Sequence, residues 1–264
     1  MNKTLPDQIA DLLIALIFVG ELKPGDKLPP ERNLAEYLGV DRTSLRMALR
    51  TLTRMNVVSI VQGSGIRVLD YKTEASLDFL GSLHEIEGLE LGGKLLTSGF
   101  NVYRNTIPLA IRMTNQDLHE GYQSKVLGLI HQMYQGLQDR VSYSKLADLD
   151  IQLVDILIGA TDNEYVMTSG TSTKKLRHAL TVKFYELTDI KKHLDTMVSL
   201  SMRLASGNVN RDEVISEFTD YINEATLPLK EYIDALPKAP RLVESPLKNG
   251  KEISSVADIM ANAA

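Results

Sequence analysis

A helix, a glycine turn and a second helix are predicted between residues 30 and 54, and this pattern constrains the fold more than any other part of the chain. The first helix spans residues 30–38 and ends at Gly39, because glycine readily adopts the left-handed conformation that stops a helix. Asp41 follows, and its carboxylate is suited to accept a backbone N–H at the start of the second helix. The pattern is that of a helix-turn-helix.

The second helix carries an arginine at every fourth position, at residues 42, 46, 50 and 54. This spacing places the guanidinium groups along one stripe, while Leu45, Leu49 and Leu52 face inward. Arginine binds phosphate oxygens or the edge of guanine, so the stripe is suited to the DNA major groove. Taken alone, a row of arginines is more often a solvated face, and it is the preceding helix and turn that favour DNA binding.

Two further elements complete a winged helix. Residues 5–20 form a leading helix with an apolar inner face, and its apolar run is too short to span a bilayer. The β-branched runs at 57–61 and 66–69 predict a hairpin whose glycine-rich tip is Gln62-Gly-Ser-Gly65. Such a small tip is suited to the minor groove or to phosphates, although an ordinary surface turn explains it equally well.

The segment from residue 22 to residue 52 resembles the N-terminal domain of GntR-family bacterial transcription regulators. The matching motifs are Pro-Gly-Asp-x-Leu-Pro at 24–29, Glu-Arg-x-Leu-Ala at 31–35 and Leu-Gly-Val-x-Arg-Thr-x-x-Arg at 38–46. The resemblance implies that a set of residues faces DNA: Arg32, Arg42, Thr43, Ser44, Arg46, Gln62, Gly63, Ser64 and Gly65. Asp41 stands where the family usually has Ser or Thr, and its carboxylate repels a phosphate.

Composition limits the remaining possibilities. The chain has 264 residues and no cysteine, which excludes disulfides and thiolate chemistry. Neither a signal peptide nor a long apolar stretch is evident, so we expect a soluble cytoplasmic protein with no membrane partner. The net charge is −5, but residues 1–70 hold 9 Lys and Arg against 8 Asp and Glu, so the acidic excess lies in the remainder of the chain.

The fold class is mainly α, with four segments along the chain. Residues 1–70 are the predicted winged helix-turn-helix domain and 71–76 a linker. Residues 77–236 predict a six- or seven-helix bundle for effector binding and dimerisation, with helices near 75–85, 89–113, 115–139, 143–160, 163–185, 188–206 and 210–235. Residues 237–264 are polar and proline-rich, which favours a flexible tail with at most a short helix at 253–263.

This order of domains resembles the FadR subfamily of the GntR family, in which many members hold a divalent metal through an Asp and three His residues. The first two ligands typically stand as Asp-x-x-x-His, and here the corresponding positions are Asp148 and Gln152. Glutamine is a weak ligand for a transition metal, and Tyr221 stands near the last expected ligand. We therefore expect no metal and no cofactor.

Fatty-acid-responsive members of the subfamily also lack these ligands, and they bind long-chain acyl-CoA in the bundle. Local similarity to them implies that Arg104, Tyr185 and Tyr221 contact an effector. The residues themselves leave alternatives open, because a buried arginine also pairs with an internal acid such as Asp148. The two tyrosines are equally compatible with core positions.

Three functions follow from these observations. The favoured one is a homodimeric, ligand-responsive transcription regulator that binds a palindromic operator in double-stranded DNA and responds to a small-molecule effector. The second keeps the DNA-binding domain but gives the bundle a small organic acid, with or without a metal. The third is an enzyme, for which the sequence contains neither a phosphate-binding loop nor a nucleophile motif. Whether the protein represses or activates is not encoded in its sequence.

Overall fold

The computed structural model describes residues 3–61, 65–114, 120–205 and 210–248, and the chain divides into two compact units. The first unit joins Met1–Gly92 to the chain from Pro237, and the second is Gly93–Leu236. No helix within these described ranges is long and apolar enough to cross a membrane. The chain passes from the first unit to the second after Gly92, so the break between the units lies beyond the linker that the sequence predicts at 71–76.

The first unit begins with helix α1, Leu5–Val19. Thr4 and Asp7 cap its start reciprocally, each side chain bonding the other residue's backbone N–H. Every residue from Ile9 to Phe18 is buried, which includes Asp11. Lys3 Nζ donates to Asp11 Oδ2 at 2.5 Å, and this bond opposes the burial that raises the pKa of that carboxyl.

Helices α2 (Glu31–Leu38) and α3 (Arg42–Arg54) form the predicted helix-turn-helix. Gly39 ends α2 with φ 68°, a left-handed conformation that suits glycine. Asp41 caps α3 as expected and accepts the N–H of Ser44 at 2.9 Å. The inner face of α3 packs against α1. Its buried residues are Leu45, Ala48, Leu49 and Leu52.

A three-stranded antiparallel sheet completes the winged helix. Strand β2 (Val58–Val61) pairs with β3 (Gly65–Val68), so that Val58 lies opposite Val68 and Val61 opposite Gly65. The strand β1 (Lys27–Leu28) pairs with the other edge of β3. The sequence predicts the hairpin but misses β1, because a two-residue strand has too few residues to show an alternation.

Two short helices follow: α4 (Tyr71–Glu74) lies in the predicted linker, and α5 (Leu77–Leu83) lies in the helix predicted near residues 75–85. Phe79 is fully buried, with its ring centroid 6.5 Å from that of Phe18 and 5.1 Å from that of Tyr71. These aromatic contacts hold the segment on the first unit. The first unit is therefore longer than a minimal winged helix.

The segment after residue 236 returns to the first unit, in contrast to the flexible tail that the sequence predicts. Strand β4 (Leu89–Glu90) pairs antiparallel with β5 (Arg241–Leu242), and Leu247 is buried. A side chain at Gly88 would collide with the backbone of Glu244, so this approach requires glycine. The short helix predicted at 253–263 lies outside the described residues.

The second unit is the predicted helical bundle. Its elements are α6 (Gly92–Met113), α7 (Glu120–Gln138), α8 (Tyr143–Gly159), α9 (Glu164–Ser172), α10 (Lys174–Leu187), α11 (Ile190–Ala205), α12 (Arg211–Ala225) and α13 (Leu227–Ala235). Two predicted helices are each interrupted once, at Thr173 and at Thr226. Pro228 accounts for the second break, because proline suits the first turn of a helix but not its interior.

The bundle core consists of two apolar clusters. Phe100, Met133 and Phe184 belong to the first, which lies among α6, α7, α8 and α10. Ile130, Leu153 and Phe218 belong to the second, which α11 and α12 help to enclose. Polar side chains are also buried in this unit, and several of them surround a small cavity.

Candidate nucleic-acid interface and effector cavity

The outer face of α3 is strongly basic. Arg42, Arg46, Arg50 and Arg54 are all exposed along it, as their four-residue spacing predicts. Arg32 on α2 and Thr43 in the first turn of α3 are exposed as well. The helix thus presents cationic and hydroxyl side chains at its N-terminal end, which is the end that contacts base edges in helix-turn-helix proteins.

Arg46 is held by an acidic neighbour. Its Nε donates to Glu31 Oε2 at 2.6 Å, and the arginine side chain remains 65% exposed. Exposed ion pairs contribute little to stability, so the guanidinium is available to exchange this carboxylate for a phosphate or a guanine edge. The sequence motif contains both residues but does not predict this pairing.

Ser44 is engaged by the helix cap. Its hydroxyl donates to Asp41 Oδ2 at 2.6 Å, in addition to the backbone bond to the same carboxylate. The hydrogen bonds from Ser44 lower the pKa of Asp41, so the cap is negatively charged at neutral pH. The Ser44 hydroxyl would have to give up its hydrogen bond to Asp41 in order to donate to a phosphate.

The wing is described only in part. Gly65 opens β3 in a left-handed conformation, with φ 88° and open space where a side chain would be. Gln62, Gly63 and Ser64, which the sequence also assigns to DNA, lie outside the described residues.

A small cavity of about 30 Å³ lies inside the second unit, enclosed by α6, α8, α10, α11 and α12. Arg104 on α6 lines this cavity. Arg104 Nη1 donates to Asn223 Oδ1 at 3.0 Å, and the guanidinium lies over the Phe100 ring at 5.0 Å. Asp148, the internal acid considered as its partner, instead lies 3.2 Å from His178.

The predicted tyrosines occupy different environments. The Tyr221 hydroxyl is hydrogen-bonded to Nδ1 of His193 at 2.8 Å, and His193 lines the cavity. Burial lowers the pKa of His193 to about 4, so this imidazole is neutral at physiological pH. Tyr185 is buried beside Phe184 in the core, and it is not among the cavity-lining residues.

Residues 5–68 match the protein-family model described as bacterial regulatory proteins, gntR family. Residues 5–68 are therefore a GntR-family domain. A relative from Mycobacterium tuberculosis (strain CDC 1551 / Oshkosh), the HTH-type transcriptional regulator Mce2R, is 37% identical over 82 residues, which cover 31% of this chain and 34% of the relative.

The match to a fatty acid metabolism regulator protein from Shewanella sp. (strain ANA-3) is longer. It is 31% identical over 137 residues, covering 51% of this chain and 55% of the relative. The matched segments therefore span about a third to a half of the lengths of these two relatives.

The fold of both units has a counterpart among solved structures. A structure of Lar, which controls the expression of the Listeria monocytogenes agr system, aligns with a TM-score of 0.53. The alignment covers 87% of this chain and 97% of that chain at 20% sequence identity, and at this identity it concerns the fold alone.

The positions that correspond to the family's metal ligands do not suit a metal in this chain. The Asp148 side chain is 64% exposed, and the neighbouring Gln152 is also exposed and donates to the backbone oxygen of Asp148. Within the described parts of the chain, no three His, Cys, Asp or Glu side chains are grouped so that they could hold a metal ion.

The sequence interpretation missed two buried charged residues that line the cavity, Asp150 and Arg177. Burial raises the pKa of Asp150 to about 7 and outweighs the opposing charge of Arg177. Arg177, Thr181 and Tyr185 follow one another at a spacing of four on α10, and this inward-facing row was the available signal.

Proposed function

We propose that the protein is a homodimeric, DNA-binding transcription regulator whose helical unit responds to a small-molecule effector. The observation that carries this proposal is the exposed arginine row on α3, within the segment that matches the GntR family. The proposal gives the first unit the role of binding an operator and the second unit the roles of dimerisation and sensing.

In this proposal, α3 lies in the major groove and Arg42, Arg46 and Thr43 contact bases or phosphates there. Arg32, Ser44 and the wing residues 62–65 contact the DNA backbone or the adjacent minor groove. One recognition helix covers only a few base pairs, so two copies related by a two-fold axis are required for a specific site. A palindromic operator is the DNA symmetry that matches such a dimer.

The effector site is proposed for the cavity that Arg104 lines, with Tyr221 acting on it through His193. A fatty acid or long-chain acyl-CoA is the candidate effector that one specific observation favours. The match to the Shewanella fatty acid regulator is longer than Met1–Gly92, so it includes part of the helical unit. The alternative is a small organic acid.

The size of the cavity implies how sensing would work. About 30 Å³ holds roughly two water molecules, so an effector larger than that must move the surrounding helices. An effector that binds the opened bundle more tightly than the closed one shifts the equilibrium between the two states by its differential affinity. DNA affinity then changes if only one of these states spaces the two α3 helices to match the operator.

DNA binding is tested by fluorescence anisotropy of the full-length protein on DNA from the region upstream of its gene, at fixed salt. We expect Arg46→Ala to weaken specific binding roughly 10- to 100-fold, since a bidentate arginine–base contact is lost. Arg54→Ala, at the other end of the same helix, is the matched control and should lower affinity only slightly. Equal affinity of wild type and Arg46→Ala would show that α3 is not the recognition helix.

The effector is tested in the same assay by adding micromolar oleoyl-CoA. If an acyl-CoA is the effector, we expect oleoyl-CoA to release the DNA from the wild-type protein. We expect less release from Arg104→Ala, while the affinity of this variant for DNA without oleoyl-CoA stays unchanged. Specific DNA binding that oleoyl-CoA leaves unchanged would discard that ligand and direct the search to small organic acids.

A further inference from the structure

Arg46 is the one arginine of α3 that pairs with a carboxylate among the described residues. Its Nε donates to Glu31 Oε2 at 2.6 Å. The same exposed face carries Arg42, Arg50 and Arg54, for which the described residues provide no ion pair. The four arginines therefore do not present the same group to DNA, because the positive charge of Arg46 is largely balanced by Glu31 and the others keep theirs.

The packing of α2 on α3 places Glu31 beside Arg46. Glu31 is the first residue of α2, and its side chain is 31% exposed. The two helices pack against each other, and each contributes buried leucines to the core of the first unit. A bond between side chains on two packed helices restricts the rotamers of Arg46. The fold thus sets the direction in which this arginine presents its remaining donors, and less rotamer freedom is left to lose on binding.

The bond to Glu31 leaves one fork of the guanidinium complete. Arginine offers two pairs of parallel donors, Nε with Nη2 on its side and Nη1 with Nη2 at its end. Glu31 engages Nε alone, and Nη1 and Nη2 have no hydrogen-bond partner among the described residues. The end fork is therefore free. Guanine presents O6 and N7 in the major groove, and these are the two acceptors that such a fork binds.

The charge of Glu31 also affects which acceptor this fork favours. A phosphate brings a negative charge toward the Glu31 carboxylate, and the two anions repel each other. The guanine edge is uncharged, so it meets the same fork without that repulsion. An exposed ion pair is exchanged at little cost, but guanine requires no exchange, since Glu31 occupies a donor that guanine does not use.

We propose that Glu31 is a positioning residue that restricts Arg46 to the guanine of one base pair in each half-site. The carboxylate keeps Nε, directs the Nη1–Nη2 fork toward O6 and N7 of guanine, and disfavours a phosphate at that fork. This inference rests on the DNA-binding function proposed above. It adds a determinant of base specificity that lies on α2, outside the recognition helix.

The test is selection of bound sequences from a random double-stranded DNA library with the full-length protein, which requires no known operator. Wild type and Arg46→Ala are compared first, and the base pair at which Arg46→Ala loses its preference is the one that Arg46 contacts. We expect the wild type to favour guanine there by roughly 10- to 100-fold, as for a bidentate arginine contact. Preference for another base at that position overturns the proposal.

Glu31 variants then test the positioning role. We expect Glu31→Ala to lower the guanine preference at that position by roughly fivefold or more and to leave the other positions unchanged. Glu31→Gln keeps an oxygen that accepts from Nε, so it should retain more of the preference. Glu36→Ala removes the same charge from an exposed position of α2 and is the matched control. Wild-type guanine preference in a folded Glu31→Ala protein overturns the proposal, as does an equal loss in Glu36→Ala.

The salt dependence of binding to DNA without the selected sequence is a readout that a merely structural role would not change. Without Glu31, the Arg46 guanidinium is free to bind a phosphate. The slope of log affinity against log salt should therefore steepen by up to about 0.9 in Glu31→Ala. A destabilised helix would weaken binding without steepening this slope, and an unchanged slope overturns the effect proposed for phosphate.

The same library separates this inference from the proposed function. If the wild type enriches no sequence, sequence-specific DNA binding is refuted, and the positioning role with it. If the wild type enriches a sequence and Glu31→Ala keeps the same guanine preference, only the role of Glu31 is refuted.

Discussion

Two arginines of this chain show how the surroundings of one residue type set its role. Arg46 is largely exposed and paired with Glu31 at 2.6 Å, so exchanging that partner for DNA costs little. Arg177 is buried, and among the described residues only its Nη2 has hydrogen-bond partners, so its charge is compensated on one side alone. The first arrangement suits a transient interface, and the second suits a site with a specific occupant.

The buried carboxyl of Asp150 predicts how stability depends on pH. Its pKa is raised from 3.8 to about 7 in the folded protein, because burial disfavours the charged form more than Arg177 favours it. The folded state therefore binds this proton more tightly than the unfolded state does. The corresponding stability is fully present below about pH 4 and is lost as the pH rises through 7.

We expect Asp150→Asn to remove this part of the pH dependence and to be more stable than wild type above pH 7. The free energy of unfolding of the wild type should fall by about 1.4 kcal/mol for each pH unit between the unfolded-state and folded-state pKa values of Asp150. Urea denaturation at several pH values from 4 to 8 measures it. Asp148→Asn, on the exposed side of the same helix, is the control, and identical profiles for wild type and Asp150→Asn would contradict the argument.

At the scale of the element, the start of α3 combines two requirements on one residue. Asp41 caps the helix by accepting the Ser44 N–H at 2.9 Å. Its hydrogen bonds lower its pKa, so it also places a negative charge where α3 is proposed to approach DNA phosphates. The carboxylate thus favours the folded helix and opposes the proposed complex.

Asp41→Ser separates these effects, because serine also caps helices but carries no charge. We expect it to raise DNA affinity several-fold at low salt, with a smaller gain at high salt, and to leave the thermal midpoint nearly unchanged. Asp41→Ala should lower the midpoint, since alanine cannot cap. Asp139→Ser removes the same charge from the helical unit, and an equal gain in affinity there would assign the effect to net charge.

At the scale of the whole molecule, the polypeptide crosses between the two units twice, after Gly92 and after Leu236. The helical unit is therefore covalently attached to the first unit at both of its ends. The returning segment is held by the β4–β5 pairing, by the Arg241–Glu90 ion pair and by the burial of Leu247. Lys248 N–H also donates to the Gln8 side chain at 3.1 Å.

Leu247→Ala should therefore destabilise the first unit by about 2–4 kcal/mol, as expected for truncating a buried leucine. Val243→Ala is the matched control, because Val243 lies in the same segment and is 58% exposed. Thermal unfolding followed by circular dichroism compares the two variants with wild type. Equal midpoints for all three proteins would show that the returning segment adds no stability.

The helix-turn-helix and the mainly α fold class are predictable from the sequence because both follow from local chemistry. Gly39 and Asp41 act within a few residues of their positions, and the inward spacing of Leu45, Leu49 and Leu52 is a property of α3 alone. The structure has the helix end, the cap and the buried face where the pattern predicts them. The hairpin of β2 and β3 was likewise predicted from adjacent residues.

Contacts between distant segments could not be predicted from the sequence, because they depend on how the helices and strands pack together. The cavity combines Arg104 from α6, Asp150 from α8 and Arg177 from α10, and a regular helical pattern does not specify which faces of three helices meet. The pairing of β4 with β5 joins residues about 150 positions apart in the chain. The polar, proline-rich sequence after residue 236 predicts a flexible tail, whereas its pairing with β4 and the burial of Leu247 make it an ordered part of the first unit.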